Sequence, residues 1–558
     1  MTPGRAARAA ALLLGTGLFA GLAHLGVRDT SPTFDEVAHL PAGYTHLTRL
    51  DFRLVPEQPP LVKDLAALPL LAMDVRVPEQ DAAWARRRPY EFGRRFLFEW
   101  NDGQRLAAAG RHAMLACAVL LLGLVAACAS WRWGAAVGGV ALFLGALHPD
   151  LLAHGPLITS DVPAALSMFA SVLLFERVLA RPGAFGVLAC GLLLGAAFAV
   201  KFSALILVPL LAGLALARGR RLPRLGLLAL MLALTPLVVW GAYAFRAHVT
   251  PDPAVNESFT LDHERPSSPL VFEGALLAQR LGLLPDAYLY GVLRFARHSE
   301  RRRAFLLGEQ SDEGWWYYFP VTLALKTPLP LLLLAGAAAA LGLSDWRRHA
   351  RDAWLWLPPL AYLALSMTRS LNIGHRHLLP LVPFVLLGAA RAFVALWRRG
   401  RPAARGALVL LLVWYGASVL RVHPHYLAYF NELVRPDEGH RFLVDSNLDW
   451  GQDLPGLKAY MDRNGIAKLK LSYFGTAEPR FYGIQCERLP GYPPPPDPVG
   501  AVEPGDVVAV SATNLEGVYL SDDPDALRLM RRLKRQTPLA TIGYSILVYR
   551  AEFSWRGR

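Results

Sequence analysis

The sequence predicts a polytopic α-helical membrane protein of about eleven spans, ending in a small extracytoplasmic α/β domain. Three observations predict it. Of 558 residues, 54% are hydrophobic and only 18% charged, with a mean hydropathy of +0.30, too apolar for an ordinary soluble chain. Apolar runs of about 17–25 residues recur, each matched to a hydrocarbon core about 30 Å thick. Arginines concentrate in alternate short loops between those runs, the asymmetry that orients membrane helices.

Taken in order, Arg5 and Arg8 precede the first apolar segment, 9–27, and place the N-terminus in the cytoplasm. A cleaved signal peptide has a similar outline, but the many spans that follow, with a consistent charge pattern, favour a retained span. Residues 28–106 form a long external loop, with Trp, Phe and Leu near its end suited to helices lying along the interface. Spans are expected at 107–129, 134–149, 161–179, 184–200, 202–217 and 225–245. After a second long external loop, 246–319, come 320–343, 353–369, 377–396 and 405–421. The shortest of these runs are 134–149 and 202–217.

With this topology the cytoplasmic loops carry Arg132; Arg177 and Arg181; Arg218, Arg220, Arg221 and Arg224; Arg347, Arg348 and Arg351; and Arg398, Arg399, Arg401 and Arg405. The acids there are Glu176, Asp345 and Asp352. An odd number of spans leaves the C-terminal part outside. The membrane domain is expected over 1–439 and the α/β domain over 440–558. There, β-rich runs at 441–444, 468–473, 506–511 and 542–549 alternate with helical patterns at 454–463 and 523–534. The proline-rich stretch 490–498 reads as a stiff loop within that domain.

The net charge of +14 does not point to nucleic acid, because the arginines are scattered over topology-setting loops rather than gathered on one face. Of the four cysteines, Cys117, Cys128 and Cys190 lie in apolar runs, and with Cys486 they form neither a disulfide framework nor a metal-ligand spacing.

Ionisable groups at a membrane edge cost several kcal/mol unless paired or wetted, so each invites a functional reading. The topology puts Asp35, Glu36, Glu57 and Lys63 on the first external loop, and Asp150, His154 and Asp161 on the next external turn. Lys201 falls at an external junction, and Asn372, His375, Arg376 and His377 in another external turn. All converge on one side of the membrane, where a lipid headgroup lies. A transporter would place acids nearer the midplane, and a channel would show polar rings. A carboxylate there can act as general base toward an acceptor hydroxyl or amine, and Lys201 and Arg376 can supply counter-charge to a phosphate. Bland readings stand beside these. Thr33 and Glu36 fit a capping box, Asp161 can cap the helix it starts, and Lys201 can snorkel. Trp315, Trp316, Tyr317 and Tyr318 suit an interfacial belt. In the C-terminal domain, Asp449 and Trp450 lie in DSNLDWGQD, which reads either as turn and cap chemistry or as a ligand patch at the end of a strand.

The stretches FDEVAHLPAGYTHL, DFRLVPEQPPLVKDLAALPLL, ITSDVPAA, KFSALILVP, GWWYYFPVTLALKTPLP and NIGHRHLLPLVPF resemble, in this order, bacterial membrane glycosyltransferases of family 39 in the GT-C superfamily. These are enzymes of the protein O-mannosyltransferase and aminoarabinose-transferase type. The likeness covers about residues 5–440. YLAYFNELV and LVDSNLDWGQDL resemble a subgroup with an appended C-terminal domain.

The resemblance implies an inverting transfer, metal-independent or assisted by a divalent cation, from a polyprenyl-phosphate sugar to a protein, lipid or polysaccharide. It implies Asp35 as catalytic aspartate with Glu36 its neighbour, and Asp161 as the acid of the second external motif. Lys201 becomes a basic position facing the carrier phosphate, and Glu57 the acid before the Pro-Pro pair. Gln58 departs from the lysine that follows this acid in related aminoarabinose transferases, which leaves the role of the loop toward donor or metal open. No metal ligands are assigned. The expected enzyme is a multi-pass protein of the bacterial inner membrane. Asp35, Glu36 and Asp161 are its catalytic candidates. Glu57, Lys63, Lys201, His375, Arg376, Asp449 and Trp450 are its substrate-binding candidates. Two other readings remain: a flippase or transporter of lipid-linked sugars, and a non-catalytic glycan-binding envelope assembly protein.

Overall fold

The computed structural model describes residues 3–217, 221–344, 352–495 and 498–557. Among the described residues, six helices are long and apolar enough to cross a membrane: Ala9–Arg28, Gly103–Trp133, Asp161–Ala180, Pro223–Ala242, His375–Arg399 and Pro402–Leu420. Four shorter apolar helices accompany them: Ala135–Ala146, Ala184–Val200, Phe202–Ala217 and Ala353–Met367. The segment expected as a single span over 320–343 is instead broken. Tyr318–Lys326 and Leu329–Ser344 meet at 117°, because Pro328 follows Thr327 and biases it to an extended backbone. Together these helices account for the expected apolar segments.

Arg132 lies over both Trp131 and Trp354, and Arg177 over Trp131, so the arginine-bearing ends of two helices gather with the Trp354 end of a third at one end of the bundle. Arg218, Arg220, Asp345, Arg347, Arg348 and Arg351 lie outside the described residues. Helix Ala184–Val200 packs closely on Arg221–Ala242 through Gly191 and Gly195, one turn apart, where any side chain would press on Leu234 and Val238.

The opposite end carries the two long loops. In the first, helix Glu36–Arg49 lies between Leu61–Ala67 and Pro89–Phe98. Gly43 and Gly93 permit this, since a Cβ at either would overlap a backbone carbonyl, of Lys63 and Val37 respectively. In the second, helix Asp286–His298 buries Ala287, Tyr288, Leu289, Tyr290 and Leu293, leaving Arg294, Arg297 and His298 on its other face. A hairpin of β1 (Ala304–Leu306) and β2 (Glu309–Ser311) follows.

The C-terminal part holds a five-stranded sheet of β3 (Leu469–Ser472), β4 (Cys486–Arg488), β5 (Val507–Ser511), β6 (Ala540–Ile542) and β7 (Ile546–Arg550), in the order β4-β3-β5-β7-β6. β3 runs parallel to β4 and β5, while β7 is antiparallel to β5 and β6. Helix Leu454–Arg463 packs Leu454, Leu457 and Met461 on the face bearing Leu471 and Ala509. Helix Pro524–Lys534 belongs with the opposite face, bearing Val508 and Val510. Asp523 caps the latter helix, accepting from the amides of Asp525 and Ala526. Two expected strands differ. Residues 441–444 follow the 3-10 helix Pro436–Arg441 without entering the sheet, and 542–549 divides at Gly543 (φ +56°) into β6 and β7.

Candidate functional site

Four of the acids and bases that the sequence places on one side of the membrane, Asp35, Asp161, Lys201 and Arg376, meet in a single cluster. Asp161, the first residue of its helix, is buried and receives Lys201 Nζ at 2.5 Å on one oxygen and Arg376 at 3.1 Å on the other. Lys201 ends helix Ala184–Val200, and Arg376 opens the last long apolar helix but one. Arg376 reaches further, to Asp35 at 3.4 Å, and donates to Ser446 Oγ at 3.0 Å. Four charges drawn from four segments therefore cancel in pairs. Asp35 is the member left open: its side chain is 18% exposed, against 0% for Asp161. It makes no side-chain cap bond to the helix that follows it.

Glu36 has a different employment. Its carboxylate is fully enclosed and takes the Arg111 guanidinium on both oxygens (2.7 and 2.9 Å), the Thr33 amide and hydroxyl (2.8 and 3.0 Å), and the Ile158 amide (3.1 Å). Burial alone would raise its pKa, but Arg111 and these hydrogen bonds outweigh burial and hold it below the ordinary carboxylate value. The Thr33–Glu36 contact supplies the Glu half of the expected capping box. Glu36 thus fixes the loop on which Asp35 sits, a positioning part in place of the catalytic one expected from sequence. Arg111 was missed. Its signal was a lone charge inside the apolar run 107–129.

Lys63 also turns away from a ligand. Its buried ammonium donates to the carbonyls of Val55 (2.7 Å) and Gln58 (2.9 Å), and burial lowers its pKa to about 8. It therefore clamps the PEQPP turn from inside. Gln58 accepts from Ser160, tying that turn to the start of the Asp161 helix. Glu57 stays half-buried and pairs with Arg294 at 3.2 Å. His375, expected to bind substrate, is buried. Its Nδ1 is 3.1 Å from Thr322 Oγ1, its Nε2 is 3.3 Å from Asp150, and its amide donates to Asn447. Of the aromatic run, Trp316 and Tyr317 are exposed, whereas Tyr318 is buried and its hydroxyl accepts from Asn447.

The DSNLDWGQD segment is neither an exposed ligand patch nor an ordinary turn. It is a buried wedge between membrane helices and sheet. Lys326 donates to the Asn447 carbonyl, and Ser446 donates to Ile373. Trp450, 2% exposed, lies flat beneath the Arg376 guanidinium at 4.2 Å. Asp449 inserts at the C-terminal end of β5, accepting the Thr513 amide at 2.8 Å. It occupies the kind of position where open α/β sheets bind ligands. Burial raises its pKa to about 8, and that of nearby Asp453 to about 7. Trp450 therefore positions Arg376 and Asp449 the sheet, and both side chains are buried.

Sequence reasoning also missed a cavity of about 550 Å³ lined by Glu264, Arg294, Arg297, His298, Arg301, Arg302, Arg303, Tyr492 and Tyr519. Arg294 and Arg297 are answered by Glu264, and Arg303 by Asp312 and Asp522. Arg301 and Arg302 are exposed, with no carboxylate in ion-pair contact among the described residues. Asp35 and Asp445 are near enough to favour the positive charge of Arg302. The overlooked signal was a basic run, RFARHSERRR, in an external loop, against the usual charge rule. The described residues hold no group of three His, Cys, Asp or Glu side chains able to bind a metal ion, so no residue is assigned to the divalent cation that the resemblance allows.

No family model matches the chain, and no curated protein matches it. Among solved structures, the chain is similar to ArnT from Cupriavidus metallidurans bound to undecaprenyl phosphate, with 14% identity, 96% of this chain and 97% of that chain covered, and a TM-score of 0.47. It is also similar to the archaeal oligosaccharyltransferase AglB from Archaeoglobus fulgidus in complex with an inhibitory peptide and a dolichol-phosphate, with 11% identity and a TM-score of 0.48. That match covers 75% of this chain, which spans 56% of AglB.

Proposed function

We propose that the protein is a GT-C-type membrane glycosyltransferase that moves a sugar from a polyprenyl-phosphate donor to an acceptor on the extracytoplasmic face. One observation carries the reading: Asp35, the open carboxylate of a charge-balanced cluster, follows Phe34, whose ring stacks on Tyr492 of a cavity holding two arginines with no ion-paired carboxylate among the described residues. Asp35 takes the proton from the acceptor hydroxyl or amine as that atom bonds to the anomeric carbon. The bond from this carbon to the phosphate oxygen breaks, and its electron pair leaves with the carrier phosphate. Arg301 and Arg302 compensate the charge gathering there. In-line attack inverts the anomeric centre.

Lys201 and Arg376, expected from sequence to face the phosphate, are engaged by Asp161 and Asp35. Arg376 holds Asp35 in place, and Lys201 fixes Asp161, the other partner of Arg376. The test is consumption of radiolabelled polyprenyl-phosphate sugars by purified protein with envelope extract as acceptor source. Asp35→Asn is expected to lower turnover by at least a hundredfold, and Arg302→Ala to raise KM for donor at least tenfold. Equal consumption by wild type and Asp35→Asn would falsify the assignment. Flux of donor across vesicles that survives Asp35→Asn points to transport instead.

A further inference from the structure

A second cavity, of about 620 Å³, lies between the first-loop helix Pro89–Phe98 and the C-terminal ends of the parallel strands β3 and β4. Its walls include Arg87, Arg94, Arg488, Tyr90, Tyr473 and the prolines 493–495. None of its lining residues belongs to a helix long enough to cross a membrane, so its occupant is a water-exposed group and not a lipid tail. Its inner end touches the catalytic loop. Tyr90 packs edge-on against Phe34 with centroids 5.0 Å apart, and Thr476 Oγ1 donates to the Phe34 carbonyl at 2.8 Å. Phe34 is the residue before Asp35.

The charge of this cavity is one-sided. Arg88 pairs with Glu91, Arg94 with Glu99 and Glu478, and Arg95 with Asp81 and Glu91. The Arg94–Glu478 pair also bolts the loop helix to the α/β domain. Two arginines are left without a carboxylate among the described residues. Arg87 donates to Ser258 and lies over Phe259 at 5.0 Å, and Arg488 ends β4. An acidic group satisfies them by bidentate hydrogen bonding. The remaining walls are flat and apolar. Consecutive prolines offer no N–H to a peptide backbone, while their rings and that of Tyr90 suit the C–H faces of a pyranose. The C-terminal ends of parallel strands are also where α/β sheets bind small ligands.

We propose that this cavity is the acceptor site and that the acceptor is an acidic saccharide, held by Arg87 and Arg488 and delivered past Tyr90 to Asp35. This rests on the transferase reading for the word acceptor. The binding itself does not, and it is measured without donor. Full-length protein in nanodiscs is titrated with trigalacturonate, a sulfated heparin tetrasaccharide, neutral maltotriose and triglutamate. At least one acidic saccharide is expected to bind tenfold or more tightly than maltotriose and triglutamate. Arg488→Ala and Arg87→Ala are expected to weaken it at least tenfold with unchanged melting, and Asp35→Asn to leave it unchanged. Saturable binding by neither acidic saccharide overturns the proposal, as does affinity equal to that of maltotriose or insensitivity to both arginine variants. Tighter binding of triglutamate identifies an acidic peptide and overturns the saccharide assignment. Saccharide binding by a wild-type protein that consumes no donor would sink the transferase reading alone.

Discussion

Glu36→Gln and Asp35→Asn change neighbouring carboxylates by the same atom, and the structure gives them opposite consequences. Glu36 has a side chain at 0% exposure and Arg111 one at 4%. The glutamine keeps the shape but removes the charge that answers a buried guanidinium. Breaking a buried pair from one side costs about 3–5 kcal/mol. The lost acceptor capacity also leaves at least one of the Thr33 and Ile158 amides poorly satisfied, at about 1–3 kcal/mol. Asp35, partly exposed and 3.4 Å from a guanidinium that keeps Asp161 as its partner, costs about 1 kcal/mol or less when neutralised. Thermal unfolding in nanodiscs, followed by tryptophan fluorescence, should therefore show a large drop in Tm for Glu36→Gln and almost none for Asp35→Asn. Donor consumption at a temperature where both are folded should be abolished only in Asp35→Asn. Replacing the pair together, Glu36→Gln with Arg111→Met, should recover much of the lost stability, because no unpaired charge remains. Should Glu36→Gln melt like wild type while losing turnover, the division of labour argued for the two acids is wrong.

Gly93→Ala places a methyl onto the Val37 carbonyl, so helix Pro89–Phe98 must move; protease resistance of the first loop should fall, with a loss of about 1–3 kcal/mol or more. Lys63→Met leaves the Val55 and Gln58 carbonyls without their donor. It should raise KM for donor more than it lowers Tm, read by steady-state kinetics beside a melt. Asp449 and Asp453 have folded pKa values raised to about 8 and about 7. The folded state therefore binds more protons than the unfolded one between about pH 4 and pH 8, and the stability they contribute is present below that window and lost as pH rises through it. Tm should fall across pH 4–8, and less steeply in Asp449→Asn with Asp453→Asn. An unchanged slope excludes these carboxyls as its source.

The membrane-crossing helices, their order and the side on which their charged ends gather were legible in the sequence, because hydropathy and loop charge are summed over contiguous residues. Helices Leu454–Arg463 and Pro524–Lys534 were legible for the same reason, through apolar spacing on one face. What each charge does was not. Glu36 meets Arg111 across 75 positions, and Arg376 meets Asp161 across 215. Lys63 is turned inward by a carbonyl pair, and Trp450 is placed under Arg376 by a wedge whose pattern looked like a turn. Local sequence determined that Asp35 and Glu36 start a helix at the membrane surface. Only packing decided that one is sealed by a guanidinium while the other stays open beside the arginine cavity, since a carboxylate's role is set by the partners and solvent that distant segments bring to it.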